Sequence, residues 1–157
     1  MLTKEQTLNR FRRACSRREY CSGDIAKKVA SLDTEPGFTA QDIISVLLSE
    51  KFLDDSRYAE AFVRDKSSLQ GWGASKIRYA LRAKGLDEET IAQAMCGIDQ
   101  ERAQAKLQAV LAAKYRTLKG EEEEKFQKLL RFAVGRGYSF LQVKETYNQI
   151  KFCNDSH

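Results

Sequence analysis

The feature that most constrains what this chain can fold into is a pattern that returns about every 50 residues. Gly37-Phe38-Thr39 with Ile43, Gly85-Leu86-Asp87 with Ile91, and Gly137-Tyr138-Ser139 with Val143 each combine a glycine stop, an apolar residue, a helix cap and a β-branched partner. The glycines are 48 and 52 residues apart, and the discrepancy falls in the loop that holds Pro36. Ile25 and Val29 lie 52 residues before Ile77 and Leu81, which lie 52 before Leu129 and Ala133. Leu47, Met95 and Tyr147 each follow their glycine by 10. A unit that recurs this completely is an internal repeat. Each copy is too short to bury a sufficient core alone, so neighbours must share their apolar faces, and an elongated molecule follows.

The middle copy shows the grammar most clearly. Asp54 is placed to cap a first helix, with Leu53 and Tyr58 at the spacing of a hydrophobic staple and Tyr58, Phe62 and Val63 as its core face. Gly71 and Gly73 end that helix. A second puts Ile77 and Leu81 on one side, and Gly85 stops it as a left-handed residue. Leu86, Asp87 and Ile91 open a third, whose stripe is Ile91, Met95 and Ile98. The predicted class is all-α: three tandem three-helix repeats over residues 1–53, 54–98 and 99–152, then a tail at 153–157, with fraying expected after Ile150.

Composition narrows the function. Charged residues make up 31%, there is a single proline, and no run alternates long enough for a sheet. No segment is apolar enough to span a bilayer, and Arg10, Arg12 and Arg13 interrupt any signal-peptide core, so a cytoplasmic protein with no membrane partner is expected. The cysteines, Cys15, Cys21, Cys96 and Cys153, form no C-x-x-C pair, and the one histidine is His157, which argues against zinc. Cys15 and Cys96 read as small buried thiols; a disulfide is improbable in a reducing compartment, although spacing leaves Cys15 with Cys21 open. There is no phosphate-binding glycine loop and no nucleophile elbow, and the adjacent Asp54 and Asp55 do not face each other on a helix. Neither catalysis nor a cofactor is expected.

Charge is unevenly placed. Residues 1–30 carry 8 basic against 3 acidic side chains, residues 31–53 carry 1 against 4, residues 54–98 carry 7 of each, and the remainder 11 against 8. On the first helix Leu8, Phe11 and Cys15 share one face, and Arg10, Arg13 and Arg17 line the other, followed by Arg18. The second helix of the middle repeat carries Lys76, Arg78, Arg82 and Lys84 with no acid among them; Arg131 and Arg136 lie in or just after its counterpart in the last repeat. A solvated helix face is the ordinary explanation of such stripes. Against it stand the missing acids opposite Arg10, Arg13 and Arg17 and a sequence pI of about 9.0, as in chains that meet polyanions. No aromatic interleaving accompanies the stripes, so base-specific readout is not supported. Trp72, between two glycines, is expected to plug the space between helices, and Glu121 to Glu124 to sit at a helix start where negative charge is favoured.

These residues also resemble a known family. Leu53-Asp54-Asp55-Ser56-Arg57-Tyr58-Ala59-Glu60-Ala61-Phe62-Val63, Gly71-Trp72-Gly73 and Leu81-Arg82-Ala83-Lys84-Gly85 are similar to the hallmark of the RecX family, modulators of the RecA recombinase. Ser16-Arg17-Arg18-Glu19-Tyr20-Cys21-Ser22 resembles that family's N-terminal repeat, and Arg136-Gly137-Tyr138-Ser139 its C-terminal one. The resemblance implies a curved, elongated array that binds RecA filaments on single-stranded DNA as a monomer, restrains ATP hydrolysis and strand exchange, and is not itself an enzyme. A sequence-nonspecific DNA-binding scaffold acting by competition for DNA is the alternative. On either reading the partner-facing residues are Arg10, Arg13, Arg17, Arg18, Lys76, Arg78, Arg82, Lys84, Arg131 and Arg136, chosen on charge and helical position rather than inherited from a motif.

Overall fold

The computed structural model describes residues 1–155. Among them are the helices α1 (Lys4–Arg17), α2 (Ser22–Ala30), α3 (Ala40–Ser49), α4 (Asp55–Arg64), α5 (Ala74–Ala83), α6 (Glu88–Cys96), α7 (Gln100–Thr117), α8 (Glu122–Gly135) and α9 (Phe140–Asp155). The one β pairing among the described residues is a bridge between Leu2 and Thr34. The chain is all-α.

The repeated caps do what their spacing requires. The Thr39 hydroxyl accepts from the Asp42 N–H at 3.2 Å while the Asp42 carboxylate accepts from the Thr39 N–H at 2.8 Å, a reciprocal box that satisfies two donors at the start of α3. Asp87 accepts from the Thr90 N–H at 2.8 Å, and Ser139 and Gln142 exchange bonds of 3.2 and 3.0 Å. Asp54 accepts from the Arg57 N–H at 3.0 Å. Each such cap contributes about 1 kcal/mol to its helix. Ile43, Ile91 and Val143, the β-branched partners, are all buried, as are Ile25, Ile77 and Leu129.

The residues cluster into two compact units. One comprises Met1–Ala61 and Leu81–Ala94. Its main core joins Leu8 and Phe11 of α1 to Ile25 and Val29 of α2 and to Ile43, Ile44 and Leu47 of α3, with Leu53 beneath them. The other comprises Phe62–Ala80 and the residues from Met95 onward. There Leu107, Leu111 and Tyr115 of α7 pack with Leu129 and Ala133 of α8 and with Val143, Tyr147 and Ile150 of α9. In that core one carboxylate ties three helices: Glu122, at the start of α8, accepts from the hydroxyls of Tyr115 at 2.9 Å and Tyr147 at 2.8 Å.

Several expectations change. Gly37 has a left-handed φ of 109° but does not stop a helix, because α2 already ends at Ala30. The intervening loop is instead held by Leu2, whose N–H donates to Asp33 and whose carbonyl accepts from Glu35, both at 2.9 Å. Nor does α4 run unbroken to Gly71; it ends at Arg64 and widens into a π-helical turn, Asp65–Leu69. The buried side of α4 is Ala59 and Val63, with Tyr58 and Phe62 only half-buried. Cys96 is exposed at the end of α6, Cys21 rather than Cys15 is the buried thiol, and all four cysteines are free. Finally, α9 does not fray after Ile150 but continues to Asp155; the last two positions of the expected tail lie outside the described residues.

Candidate functional site

The cations singled out from the sequence divide into those that hold the protein together and those that are free to meet a partner. Two backbone seams make the division. In the first unit the start of α2 meets the end of α5: the Cys21 thiol donates to the Lys84 carbonyl at 3.9 Å, and a Cβ on Gly23 would collide with that carbonyl oxygen. In the second unit the start of α5 meets the end of α8: the Gly73 N–H donates to the Arg136 carbonyl at 2.7 Å and the Ser75 N–H to the Gly137 carbonyl at 3.2 Å. Cys21 and Gly73 are 52 residues apart, as are Lys84 and Arg136. One junction is therefore built twice from repeat-equivalent positions.

The side chains at these junctions turn inward. Lys84 pairs with Asp24 at 3.0 Å and sits 5.6 Å from the centre of the Tyr58 ring. Burial alone would lower the Lys84 pKa, but hydrogen bonds to Asp24 and Tyr58 outweigh it and raise it. Burial likewise opposes the Asp24 charge, yet the bonds from Lys84 and Cys21 keep that carboxyl below its ordinary value. The Arg136 guanidinium donates to the Gly71 carbonyl at 3.1 Å and to that of Gln70, fixing the turn that carries Trp72. Arg82 makes a paired contact with Glu88 at 2.5 and 3.1 Å. Lys84, Arg136 and Arg82 thus have their charge engaged within the chain.

Two more rest on aromatic rings. Arg18 lies 4.8 Å from the centre of Tyr20, which Lys28 approaches from 5.5 Å. Lys76 lies 4.2 Å from the Trp72 ring and Lys66 4.7 Å from it, while Trp72 meets Phe62 edge to face at 6.2 Å. Trp72 is a packing residue, as its place between Gly71 and Gly73 suggested, with an ammonium pair that the sequence did not reveal.

The remainder are free. Arg10, Arg13 and Arg17 on α1, Arg78 on α5 and Arg131 on α8 are exposed and make no ion pair among the described residues. Arg10 and Arg13 line an open groove with Leu2, Gln6 and Asn9. Arg131 shares its groove with Glu121, Glu123 and Glu124, so its field is partly offset. Arg12, between Arg10 and Arg13, behaves oppositely: Glu50 holds it through two bonds of 2.8 and 2.6 Å, and Glu5 through one of 3.0 Å. Its neighbours' freedom is thus a property of the opposite helix face, not of the segment. No group of three metal-capable side chains occurs among the described residues. What the arrangement offers is exposed positive charge on helix faces.

The described residues thus define an all-helical protein with exposed arginines on its helix faces. Residues 54–95 match the family model described as RecX, second three-helix domain. The curated regulatory protein RecX of Vibrio parahaemolyticus is 34% identical over 132 residues, covering 82% of this chain and 81% of that protein. The RecX of Clostridium tetani is 30% identical over 117 residues, which are 73% of this chain but 53% of the relative; the chain spans about half the length of the clostridial proteins it matches. Among solved structures, a regulatory protein RecX superposes with a TM-score of 0.81 at 25% identity, covering 94% of this chain and 72% of that one. RecX from Lactobacillus salivarius gives 0.77 at 20% identity, a likeness of fold. The chain belongs to the RecX family of regulatory proteins.

Proposed function

We propose that the protein binds RecA filaments assembled on single-stranded DNA and restrains their ATP hydrolysis, strand exchange and growth, acting in the cytoplasm as a monomer. Membership of a family of regulatory proteins supports this reading, and the observation that carries it to residues is the unpaired stripe of Arg10, Arg13 and Arg17 on α1. Three tandem repeats at 1–53, 54–98 and 99–152 give one chain several contact surfaces. On a helical polymer, weak contacts made by one body add through effective concentration. RecA held as a monomer should then bind much more weakly than filament. Equal affinity for immobilised monomer and filament would remove the polymer from the account.

The second reading, a DNA-binding scaffold that competes for the strand, draws on the same free arginines. It requires tight binding to naked DNA that weakens steeply with salt as phosphate contacts are lost. Inhibition that appears only when the protein saturates the DNA would favour it.

A further inference from the structure

The second unit holds a cavity of about 180 Å³ that opens to solvent, and every residue lining it belongs to that unit. Its walls are largely apolar, with Ile77 of α5, Met95 of α6, Ile98, and Ala103 of α7. Ser67 joins them from the π-helical turn after α4, a kind of turn that recurs at functional sites. The Ser67 hydroxyl is already committed, donating to the Val63 carbonyl at 2.7 Å.

Two polar groups on this cavity have no partner among the described residues. Tyr138 lines it and is only 7% exposed, and its hydroxyl is buried without a hydrogen bond. Burial pushes its pKa up, so the group stays a hydroxyl that can donate and accept. Arg78 lines the same cavity, is exposed and makes no ion pair. No acidic side chain is among the lining residues to offset it, and Gln100 and Gln142, also there, are exposed and uncharged.

A buried hydroxyl without a partner is costly, so an occupant that supplies one is favoured. Water suits the cavity poorly, because an ordered water needs about two to four polar partners and the buried wall offers one. The volume suits a single ring, since an engineered apolar cavity of about 150 Å³ takes benzene. A nucleobase has the size, but it would bring several polar edge atoms into apolar surroundings where one would be met. A large apolar side chain with one polar atom at its tip, next to negative charge, satisfies the walls, the hydroxyl and the guanidinium together. Among the amino acids that is tyrosine beside an aspartate or glutamate.

We propose that this cavity is an anchor pocket for a protein partner, taking one tyrosine side chain from an acidic segment. The ring lies among Ile77, Met95 and Ile98, its hydroxyl pairs with that of Tyr138, and a carboxylate flanking the tyrosine pairs with Arg78. A single side chain seated in a desolvated pocket is how most interfaces concentrate their binding energy. The proposal rests on the filament reading only for the source of the segment, which is then the RecA protein rather than the DNA strand.

The test uses the full chain with carbon-13-labelled methionine methyls and desaminotyrosine, a tyrosine ring with a carboxylate, as the probe. The chain has two methionines: Met95 reports the cavity, and Met1, 77% exposed, is the control. A saturable shift of the Met95 methyl alone is expected. Phenylpropionate, which lacks the hydroxyl, and desaminotyrosine amide, which lacks the charge, should each bind roughly 5-fold more weakly. Tyr138→Phe should erase the first difference and Arg78→Ala the second. Ala103→Leu, which fills the cavity, should abolish the shift, with circular dichroism checking the fold of each variant. No saturable Met95 shift, or equal affinity for the three ligands, overturns the pocket on the unaltered chain alone. Ala103→Leu should also weaken binding to RecA filaments roughly 10-fold while sparing naked oligo(dT). Unchanged filament affinity overturns RecA as the source of the segment, whereas an unaltered chain that binds the probe but no filament contradicts the filament reading and supports the pocket.

Discussion

The backbone of Gly73 lies directly against that of Gly137: a Cβ on Gly73 would collide with the Gly137 carbonyl, and a Cβ on Gly137 would collide with Lys76 and the Gly73 carbonyl oxygen, so neither residue has room for a side chain. With the 2.7 Å bond from the Gly73 N–H to the Arg136 carbonyl, this contact docks the start of α5 onto the end of α8. The position of α5 in the second unit, and with it that of Arg78, depends on that junction.

Replacing Gly73 with alanine should therefore destabilise the protein by about 3 kcal/mol or more, because the clash is with backbone and cannot be relieved by a rotamer. Gly85→Ala is the informative comparison. Gly85, unlike Gly73, has a left-handed φ, of 86°, but a Cβ there meets nothing within 4 Å, so only backbone strain of about 1–2 kcal/mol should appear. Urea unfolding of the two variants distinguishes crowding from strain; similar losses would mean that the junction yields to a side chain.

The first unit's junction should show itself in its pH dependence. Asp24 titrates below its ordinary value, so its contribution is present above an unfolded carboxyl pKa of about 3.9 and is lost as pH falls through the lower folded value. Lys84 titrates above its ordinary value, so its contribution is complete below about 10.4 and is lost as pH rises through the higher folded value. Lys84→Ala should cost about 1–2 kcal/mol at neutral pH and flatten both limbs of the stability profile. An unaltered profile would show that the pair is no more than a surface contact.

Glu122 makes a third prediction. Hydrogen bonds from Tyr147 and then Tyr115 hold its carboxyl below the usual range, and burial followed by the neighbouring carboxylate pushes Tyr147 up to about 12. The carboxylate's contribution should fade as pH falls below about 4.3 toward its lower folded value. The tyrosine's contribution is complete below about 10 and is lost as pH rises toward 12. In Glu122→Gln, absorbance at the tyrosinate band should show the late-titrating tyrosine moving back toward pH 10. If its midpoint stays in place, burial rather than Glu122 sets it.

Much of this fold is legible in the sequence. The caps at Thr39, Asp87 and Ser139 and the buried series Ile25, Ile77 and Leu129 follow from local chemistry and helical spacing, and these act over three or four residues. What could not be read depends on distant chain. The inward turn of Lys84 needs Asp24, 60 residues away, and that of Arg136 needs the carbonyls of Gln70 and Gly71. Charge and helical position therefore selected Lys84 and Arg136 together with Arg10 and Arg13, although only the latter two remain unpaired. The π-helical turn after Arg64 escaped for the opposite reason: its sequence, Asp65–Leu69, carries no breaker, and Gly71 was the nearest visible stop. The position of Glu122 at a helix start follows from its local sequence, but the tyrosine hydroxyls from which it accepts come from α7 and α9.

The α1 stripe separates stability from function. Converting Arg10, Arg13 and Arg17 together to glutamate should change folding stability by no more than about 0.5 kcal/mol per position, since none has an ion-pair partner to lose. The same variant should lose its effect on RecA filaments. Inhibition that survives undiminished would make the stripe a solvated face.

ATP hydrolysis by RecA preassembled on single-stranded DNA, titrated with this protein, tests the filament reading most directly. The account predicts that the rate falls well before there is one protein per RecA, because a bound chain restrains more of the polymer than the subunits it touches. A rate that stays flat until the protein has covered the DNA would contradict it, leaving a RecX-family fold that works by occupying the strand.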